Sequence, residues 1–371
     1  MKKKSLILML TGLSSLILPG CSTPEKYNEN DLLNAQYSIS MSHVQALEKR
    51  IIPKSKKTEQ NILIISGGGG FGAYGAGILN AWHEERMPNF DIITGVSTGA
   101  LLATSAFIND KNSMQTIKTA YTSITRNDLV SPNFFTIWRS SYSSSAPLEK
   151  IISSSISKKM IDQVAKLHNQ GRRLFVATTE LNANKLTIWD MGKIANLPSE
   201  ERYRLYYKIL QASCSVPGFY PPVRFNYYNA KVKIDNFYSV THCDSTKRSM
   251  FLAPWMIEKH QELKKTRVFA ILNNQVINLP KREIKESFIP LFSTFIYDLI
   301  NARAYFSLIE TKEITLKGNV KNEYYYCSIA GDINLNSEKM DFNKKDLEKL
   351  YQAGYQDIKK KTAWKSNIPL Q

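Results

Sequence analysis

Histidine, cysteine and acidic residues are the scarce components of this 371-residue sequence. Its five histidines are His43, His83, His168, His242 and His260, and the 111 residues that follow the last of them contain none. A Ser–acid–His triad in the α/β-hydrolase order needs a histidine late in the chain, so that arrangement is poorly supported. His260 itself lies in "WMIEKHQELKK", a charged stretch that reads as a solvated helical face. There are four cysteines, Cys21, Cys214, Cys243 and Cys327. With Cys21 set apart at the N-terminus, the other three are an odd number without metal-ligand spacing. That excludes a disulfide framework and a zinc site, and leaves room for one bridge at most. Acidic residues number 32 against 49 Lys and Arg, for a net charge of +17. A basic surface favours anionic partners such as nucleic acid or an anionic membrane face. The lysines are scattered, with only short clusters such as "KSKK" and "DIKKKT", so no nucleic-acid partner is expected. Beyond the first twenty residues no apolar run is long enough to cross a membrane. At 43% hydrophobic and 22% charged residues, the composition is that of a folded protein.

The N-terminus is the exception to this polarity. "MKKKSLILMLTGLSSLILPGC" places three lysines before an apolar stretch from Leu6 to Leu18. The stretch is short for a permanent span and reads as a signal peptide over residues 1–20. Leu18-Pro19-Gly20-Cys21 resembles a bacterial lipobox, which implies lipidation of Cys21. Ser22 after the cysteine is compatible with outer-membrane sorting. The expected location is the bacterial cell envelope, anchored by lipid. Residues 21–60, polar and carrying Pro24 and Pro53, read as a tether with a short helix around "MSHVQALEKR".

From Asn61 the pattern changes. "NILIIS", "FDIITGVS", "RRLFVATTEL", "KLTIWDM", "TRVFAILNN" and "YYYCSIA" read as strands. Between and after them, "AYGAGILNAWHEE", "TGALLATSAFI", "SEERYRLYYKILQAS" and a long amphipathic run from Glu286 to Glu313 read as helices. Asn343 is the expected N-cap of a last helix, "NKKDLEKLYQAGYQDIKKK". Strands alternating with helices predict one α/β domain over residues 61–371, a three-layer α/β/α sandwich around a mainly parallel sheet.

Two glycine motifs stand at the ends of the first two strands. "ISGGGGFGAYGAG" carries Gly67, Gly68, Gly69, Gly70, Gly72, Gly75 and Gly77. It matches a dinucleotide fingerprint twice, and Asp91 lies at about the expected spacing of ~20 residues. Yet Asp91 begins the second strand, whereas a ribose-binding acid belongs at a strand's C-terminal end. What occupies that end is Gly95-Val96-Ser97-Thr98-Gly99, a G-x-S-x-G nucleophile elbow between a strand and a helix. The elbow needs small residues beside the serine and points its hydroxyl out of the sheet edge. The first glycine run, beside it, is then suited to supply N–H groups to an oxyanion. The Lys-Ser/Thr ending of a phosphate loop is missing. With a triad disfavoured, the alternative is a carboxylate acting directly as the base on Ser97.

These residues resemble the patatin-like phospholipases, and most closely their bacterial lipoprotein members. The resemblance runs through "SGGGGFGAYGAGIL", "FDIITGVSTGALLA", "GRRLFVATTELNANKLTIWDMG" and "ASCSVPGFYPPV". It implies a Ser–Asp dyad with Ser97 as nucleophile, the Gly67–Gly72 turn as oxyanion hole, and a membrane phospholipid as substrate. No cofactor and no metal are implied. The sequence departs from the family pattern at two places. Phe71 stands where many members have Arg or Lys, and no Asp-Gly-Gly or Asp-Gly-Ala triplet occurs. "VTHCDSTKRSM" aligns best with Asp244 as the catalytic aspartate, followed by Ser245 and preceded by His242. An ungapped alignment puts Cys243 there instead, and Asp235 is a further candidate. Two other readings follow: a catalytically weakened member with a binding or structural role in the envelope, and a dinucleotide-binding enzyme. The aromatic run "FYPPVRFNYYNA" reads as core and sheet surface, with an acyl cleft or membrane contact as the alternative.

Overall fold

The computed structural model describes residues 26–28, 35–38, 58–129, 143–182, 184–217, 219–228, 238–243, 249–257, 265–275, 288–319, 321–335 and 342–369. The signal peptide, Cys21, the short helix expected over residues 41–50, His43, Asp235, Asp244 and His260 lie outside them.

The strands are β1 (Lys26–Asn28), β2 (Gln36–Ser38), β3 (Glu59–Ile65), β4 (Ile92–Val96) and β5 (Arg173–Glu180). They continue as β6 (Lys185–Asp190), β7 (Val223–Tyr228), β8 (Tyr238–Cys243), β9 (Lys265–Leu272) and β10 (Glu323–Ser328). Among the described residues they form one sheet in the order β1-β7-β8-β5-β4-β3-β9-β10, with β6 on β5 and β2 on β6. The central run β10-β9-β3-β4-β5 is parallel throughout. Glu59 opens β3, the first strand in sequence of that parallel run. Inside the expected tether, β1 pairs with β7 and β2 with β6, so parts of that stretch are sheet rather than free linker.

The helices are α1 (Gly72–Glu84), α2 (Thr98–Ile108), α3 (Lys111–Ser123), α4 (Arg126–Leu129) and α5 (Ala146–Ser155). After them come α6 (Lys158–Asn169), α7 (Met191–Ala195), α8 (Glu201–Cys214), α9 (Phe288–Gly318) and α10 (Lys344–Lys359). Strand side chains alternate between two cores. Leu63, Ile65, Ile93, Leu174 and Val176 face one core, which also contains residues of α1, α2, α8 and α10. Ile62, Ile64, Ile92, Phe175 and Ala177 face the other, under α9 and residues 250–257. Both faces of the sheet are thus covered, which gives the three-layer α/β/α sandwich. Leu347, Leu350, Tyr351 and Ile358 make the apolar stripe that lays α10 on the first core. The Asn343 side chain accepts from the N–H groups of Lys345 and Asp346, as its capping role requires.

The connection from β3 through α1 to β4 carries both glycine motifs to one side, the carboxyl edge of the parallel strands. Ligand sites of α/β sheets gather at this edge. Asp91 lies at the opposite edge: its N–H donates to the Asn61 carbonyl, and its carboxylate accepts from the Asn61 N–H at 2.9 Å. It is therefore the length of a strand away from the glycine turn. The geometry disfavours dinucleotide binding.

Candidate active site

Ser97 joins β4 to α2 in a conformation that few side chains tolerate, with φ 55° and ψ −130°. Holding a serine there costs on the order of 1–3 kcal/mol, and the surroundings must enforce it. Two glycines make the bend possible by close approach. A Cβ on Gly95 would lie 2.4 Å from the Gly99 carbonyl oxygen, and one on Gly99 would lie 2.4 Å from the Ile65 carbonyl oxygen. The first turn of α2 is therefore pressed against the ends of both β3 and β4. The Ser97 N–H donates to the Ser213 hydroxyl at 2.9 Å, and that hydroxyl donates to the Ala177 carbonyl at 2.9 Å. Ser213, at the end of α8, thus ties the elbow to β5.

The first glycine run lies beside the elbow. A Cβ on Gly67 would sit 3.0 Å from the Ser97 Cβ. The run has more than one task. The Gly67 N–H donates to the Ser249 carbonyl at 2.9 Å, and the Gly72 N–H turns back to the carbonyls of Gly69 and Gly70. The N–H groups of these two residues are therefore engaged. Gly72 serves by size, since a Cβ there would meet the Thr98 hydroxyl at 2.5 Å. Gly69 has φ 56°, and Gly68 is pressed so close to β9 that a Cβ would lie 2.2 Å from the Asn273 carbonyl oxygen. Among the described residues, no protein acceptor takes the N–H groups of Gly68, Gly69 and Gly70. Asn273 braces the turn from behind. Its N–H donates to the Ser66 hydroxyl and its side-chain amide to the Ser66 carbonyl, while its Oδ1 accepts from the Gly75 N–H.

Ser97 and Gly69 open into a narrow cavity of about 70 Å³ that runs between α2, α3 and α5. Its walls are mostly apolar, among them Leu101, Ile117, Leu148, Ile156 and Tyr220. Burial pushes the phenols of Tyr121 and Tyr220 well above the ordinary tyrosine range. The aromatic run is thus divided: Tyr220 lines the cavity while Phe225 lies in the core. Phe71 is buried in the core, which gives an apolar residue at that place a packing role.

The described histidines with placed side chains lie away from this edge. His83, in the last turn of α1, contacts Asn109 at 2.8 Å. His168, in the last turn of α6, lies against Asp190 and Arg173. Among the described residues no group of His, Cys, Asp and Glu could hold a metal ion. No described helix is long and apolar enough to cross a membrane. Cys214 and Cys327 are buried and form no disulfide.

The approach of β8 is informative. β6 pairs along β5 from Phe175 to Glu180, and β4 pairs with β5 from Arg173 to Ala177, so β4 and β6 occupy opposite edges of β5. β8 pairs with Thr179 and Glu180, and so takes the edge that β4 leaves. Val96 is opposite Ala177, and Cys243 is opposite Thr179. Two residues of strand separate these partners, about 7 Å. β8 is antiparallel to β5, so it runs head-on toward the Ser97 elbow and ends one residue before Asp244 in sequence.

Sequence reasoning missed Ser213 and Asn273. Each acts on a partner 116 or 207 residues away, and no local pattern marks them.

Comparison with known proteins gives a family match. The family model for patatin-like phospholipase matches residues 63–244. No curated protein is similar in sequence. Among solved structures, the chain is similar to VipD from Legionella pneumophila, at 11% identity and a TM-score of 0.35, over 80% of this chain and 67% of that one. It is also similar to the type III effector ExoU of Pseudomonas aeruginosa, at 10% identity and TM-score 0.30, over 80% of this chain and 54% of that one. A third is human GIVD cytosolic phospholipase A2 in complex with a fluorophosphonate inhibitor, at 10% identity and TM-score 0.25, over 70% and 46% of the two chains. Likeness this loose says nothing about substrate or mechanism. The family match spans both glycine motifs, the elbow and the whole of β8, and through it the chain belongs to the patatin-like phospholipases, a family of lipid ester hydrolases.

Proposed function

We propose that the chain is a serine acyl hydrolase that cleaves membrane phospholipids to a fatty acid and a lysophospholipid. The observation that carries this reading is Ser97, held in a strained bend at the mouth of an apolar cavity beside three N–H groups with no protein acceptor. In this scheme Ser97 Oγ attacks the ester carbonyl, and its proton passes to the Asp244 carboxylate. The carbonyl oxygen becomes an oxyanion, to which Gly68, Gly69 and Gly70 donate. The tetrahedral adduct collapses, the ester C–O bond breaks, and Asp244 returns the proton to the leaving alkoxide. Water then attacks the acyl-enzyme in the same manner, with the Ser97 oxygen leaving. Gly67 and Gly72, whose N–H groups are engaged elsewhere, shape the turn rather than donate.

The cavity has room for the few methylenes of an acyl chain nearest the ester, which would bury CH₂ groups at about 0.8 kcal/mol each. The register of β8 supports Asp244 over Asp235, because the strand approaching the elbow ends just before position 244. An unperturbed aspartate is a weak base, with a pKa near ~3.9, so this role requires a partly desolvated carboxylate. Signal-peptide cleavage before Cys21, its lipidation and an envelope location complete the reading. They would place a water-insoluble substrate within reach.

The test is fatty-acid release from mixed phospholipid vesicles by the wild type, Ser97→Ala and Asp244→Ala, each confirmed as folded. Loss of at least ~10⁴-fold in kcat for Ser97→Ala, and a comparable loss for Asp244→Ala, is expected. Full activity in Ser97→Ala sinks the proposal. Full activity in Asp244→Ala alone moves the base to another residue. A folded wild type that releases nothing would favour a binding role in the envelope, consistent with Asp244-Ser245 standing in place of Asp-Gly.

A further inference from the structure

The large apolar side chains left exposed among the described residues are Leu181, Phe295, Leu299, Phe306 and Leu316, and all but Leu181 lie on α9. Their distribution is one-sided. Ser307, on α9, accepts from the Ser249 N–H, and the Ser249 carbonyl accepts from the Gly67 N–H. Ser307 is therefore level with the carboxyl edge of the sheet, next to the glycine turn. The Thr315 carbonyl accepts from Asn322, whose Oδ1 accepts from the Thr266 N–H near the start of β9. So α9 descends the sheet from Ser307 to Thr315. The nineteen residues from Phe288 to Phe306 run the other way, outward from that edge, for about 28 Å.

On this outward part Phe295 is 57% exposed, Leu299 52% and Phe306 63%. At 100° per residue these three and exposed Ala302 fall within about 60° of one another around the helix, as a single stripe. Below the edge the same stripe becomes charged, at Glu313 and Lys317, which form an ion pair at 3.2 Å. Leu181 follows the last residue of β5 and so also stands at the carboxyl edge.

We propose that this edge is the membrane-docking edge: Phe295, Leu299 and Phe306, with Leu181, seat in an anionic phospholipid bilayer and hold the mouth of the Ser97 cavity against it. The proposal rests on the phospholipase reading for the identity of the occupant. Two observations favour a bilayer over a protein partner. The full sequence carries a net charge of +17, only three lysines of which lie in the signal peptide, so the chain that remains is still strongly basic and complementary to an anionic lipid surface. The position of the N-terminal segment agrees. β1 pairs with β7 at Lys26 and Asn226, Asn226 faces Ser239 of β8, and Cys243 faces Thr179. By that register Lys26 lies about 13 Å beyond Thr179, outside the carboxyl edge. Cys21 precedes Lys26 by five residues, a reach of at most about 18 Å. A lipid on Cys21 would thus draw down the same edge that carries the apolar stripe. Four partly inserted large side chains and an acyl anchor are two independent membrane signals, and stable attachment generally needs two.

The experiment uses the full chain with Ser97→Ala, so that vesicles stay intact. An environment-sensitive fluorophore is placed in turn on Leu299→Cys, Phe306→Cys and Leu316→Cys, with the labelled parent as background. The vesicles are phosphatidylcholine with one third phosphatidylglycerol, with and without brominated acyl chains. Brominated lipid should quench the labels at 299 and 306 several-fold more than the label at 316, and aqueous iodide should do the reverse. Equal iodide access at all three positions on vesicles overturns the proposal. So does protection of 299 and 306 before vesicles are added, which would mean that a second copy or a protein covers the stripe. In a background with Ser97 intact, Phe295→Ser/Leu299→Ser/Phe306→Ser should lose at least tenfold on vesicles while keeping its rate on a soluble short-chain ester. Equal loss on both substrates counts against docking. If the wild type cleaves neither substrate, the phospholipase reading fails, and the fluorophore depths still decide the docking proposal.

Discussion

The glycine run from Gly67 to Gly77 divides into two halves that do different work with the same residue. The first half, through Gly72, forms the turn beside Ser97, and three of its N–H groups have no protein acceptor among the described residues. The second half lies inside α1 and serves helix packing. A Cβ on Gly77 would lie 2.0 Å from the Tyr351 carbonyl oxygen of α10, and one on Gly354 of α10 would lie 2.2 Å from the Tyr74 carbonyl oxygen. The two helices cross backbone to backbone through a reciprocal pair of glycines. Between the halves, Gly75 is pressed on Asn273, the residue that also braces Ser66. Glycine density in a sequence therefore marks close approach, and only the partner decides whether that approach serves chemistry or packing.

Substitutions can break this comparison. Gly68→Ala should be the most damaging, because its Cβ would strike the backbone of Asn273 rather than a movable side chain. Displacing one oxyanion donor typically costs ~10²–10³ in rate, so esterase activity should fall by about that factor while the thermal midpoint moves less. Gly77→Ala should do the opposite. The helix crossing must open against the Tyr351 backbone, at about 2–4 kcal/mol of stability by urea unfolding, with activity per folded molecule retained. If Gly77→Ala lowered activity without lowering stability, the division would be wrong.

A third prediction concerns the opposite edge of the sheet, which carries titrating groups but no proposed chemistry. Burial, with Arg173 and Lys193 adding, pushes the His168 imidazole down to about 4. His168 is then neutral in the folded protein and remains so until the pH falls well below its ordinary value of ~6.5. The unfolded chain takes up a proton first as pH falls. The stability that depends on neutral His168 is therefore complete above about pH 6.5 and is lost progressively toward pH 4, up to about 3 kcal/mol. Unfolding curves of the wild type and His168→Gln across this range should converge at low pH. Parallel curves would remove His168 from the account.

Much of the fold was legible because periodic burial leaves a local trace. "TGALLATSAFI" coincides with α2, the six expected strands are all present, and Asn343 caps α10. The β7–β8 hairpin was not legible. Pro221 and Pro222 directly before Val223 suggest a loop, and the aromatic run that follows alternates too weakly to announce a strand. The strands β1 and β2 have three residues each in a polar stretch, and exist by pairing with β7 and β6 rather than by propensity. Helix α6 leaves a local trace in the stripe of Met160, Ile161 and Val164 and in Ser157 as its cap. Of the candidate site, the elbow and the turn were readable because tight bends require glycine at fixed spacing. The roles of Ser213 and Asn273, and the spending of the Gly67 N–H on Ser249, depend on partners brought together only by the folded sheet.

The most direct test of the central claim is intact-mass and peptide mapping after treatment of the folded wild type with a fluorophosphonate. A single adduct on Ser97, absent from Ser97→Ala and slowed by about 10²-fold or more in Gly68→Ala, is the expected result. A folded wild type that takes no adduct, or that takes it on another serine, would contradict the assignment of Ser97 as a nucleophile.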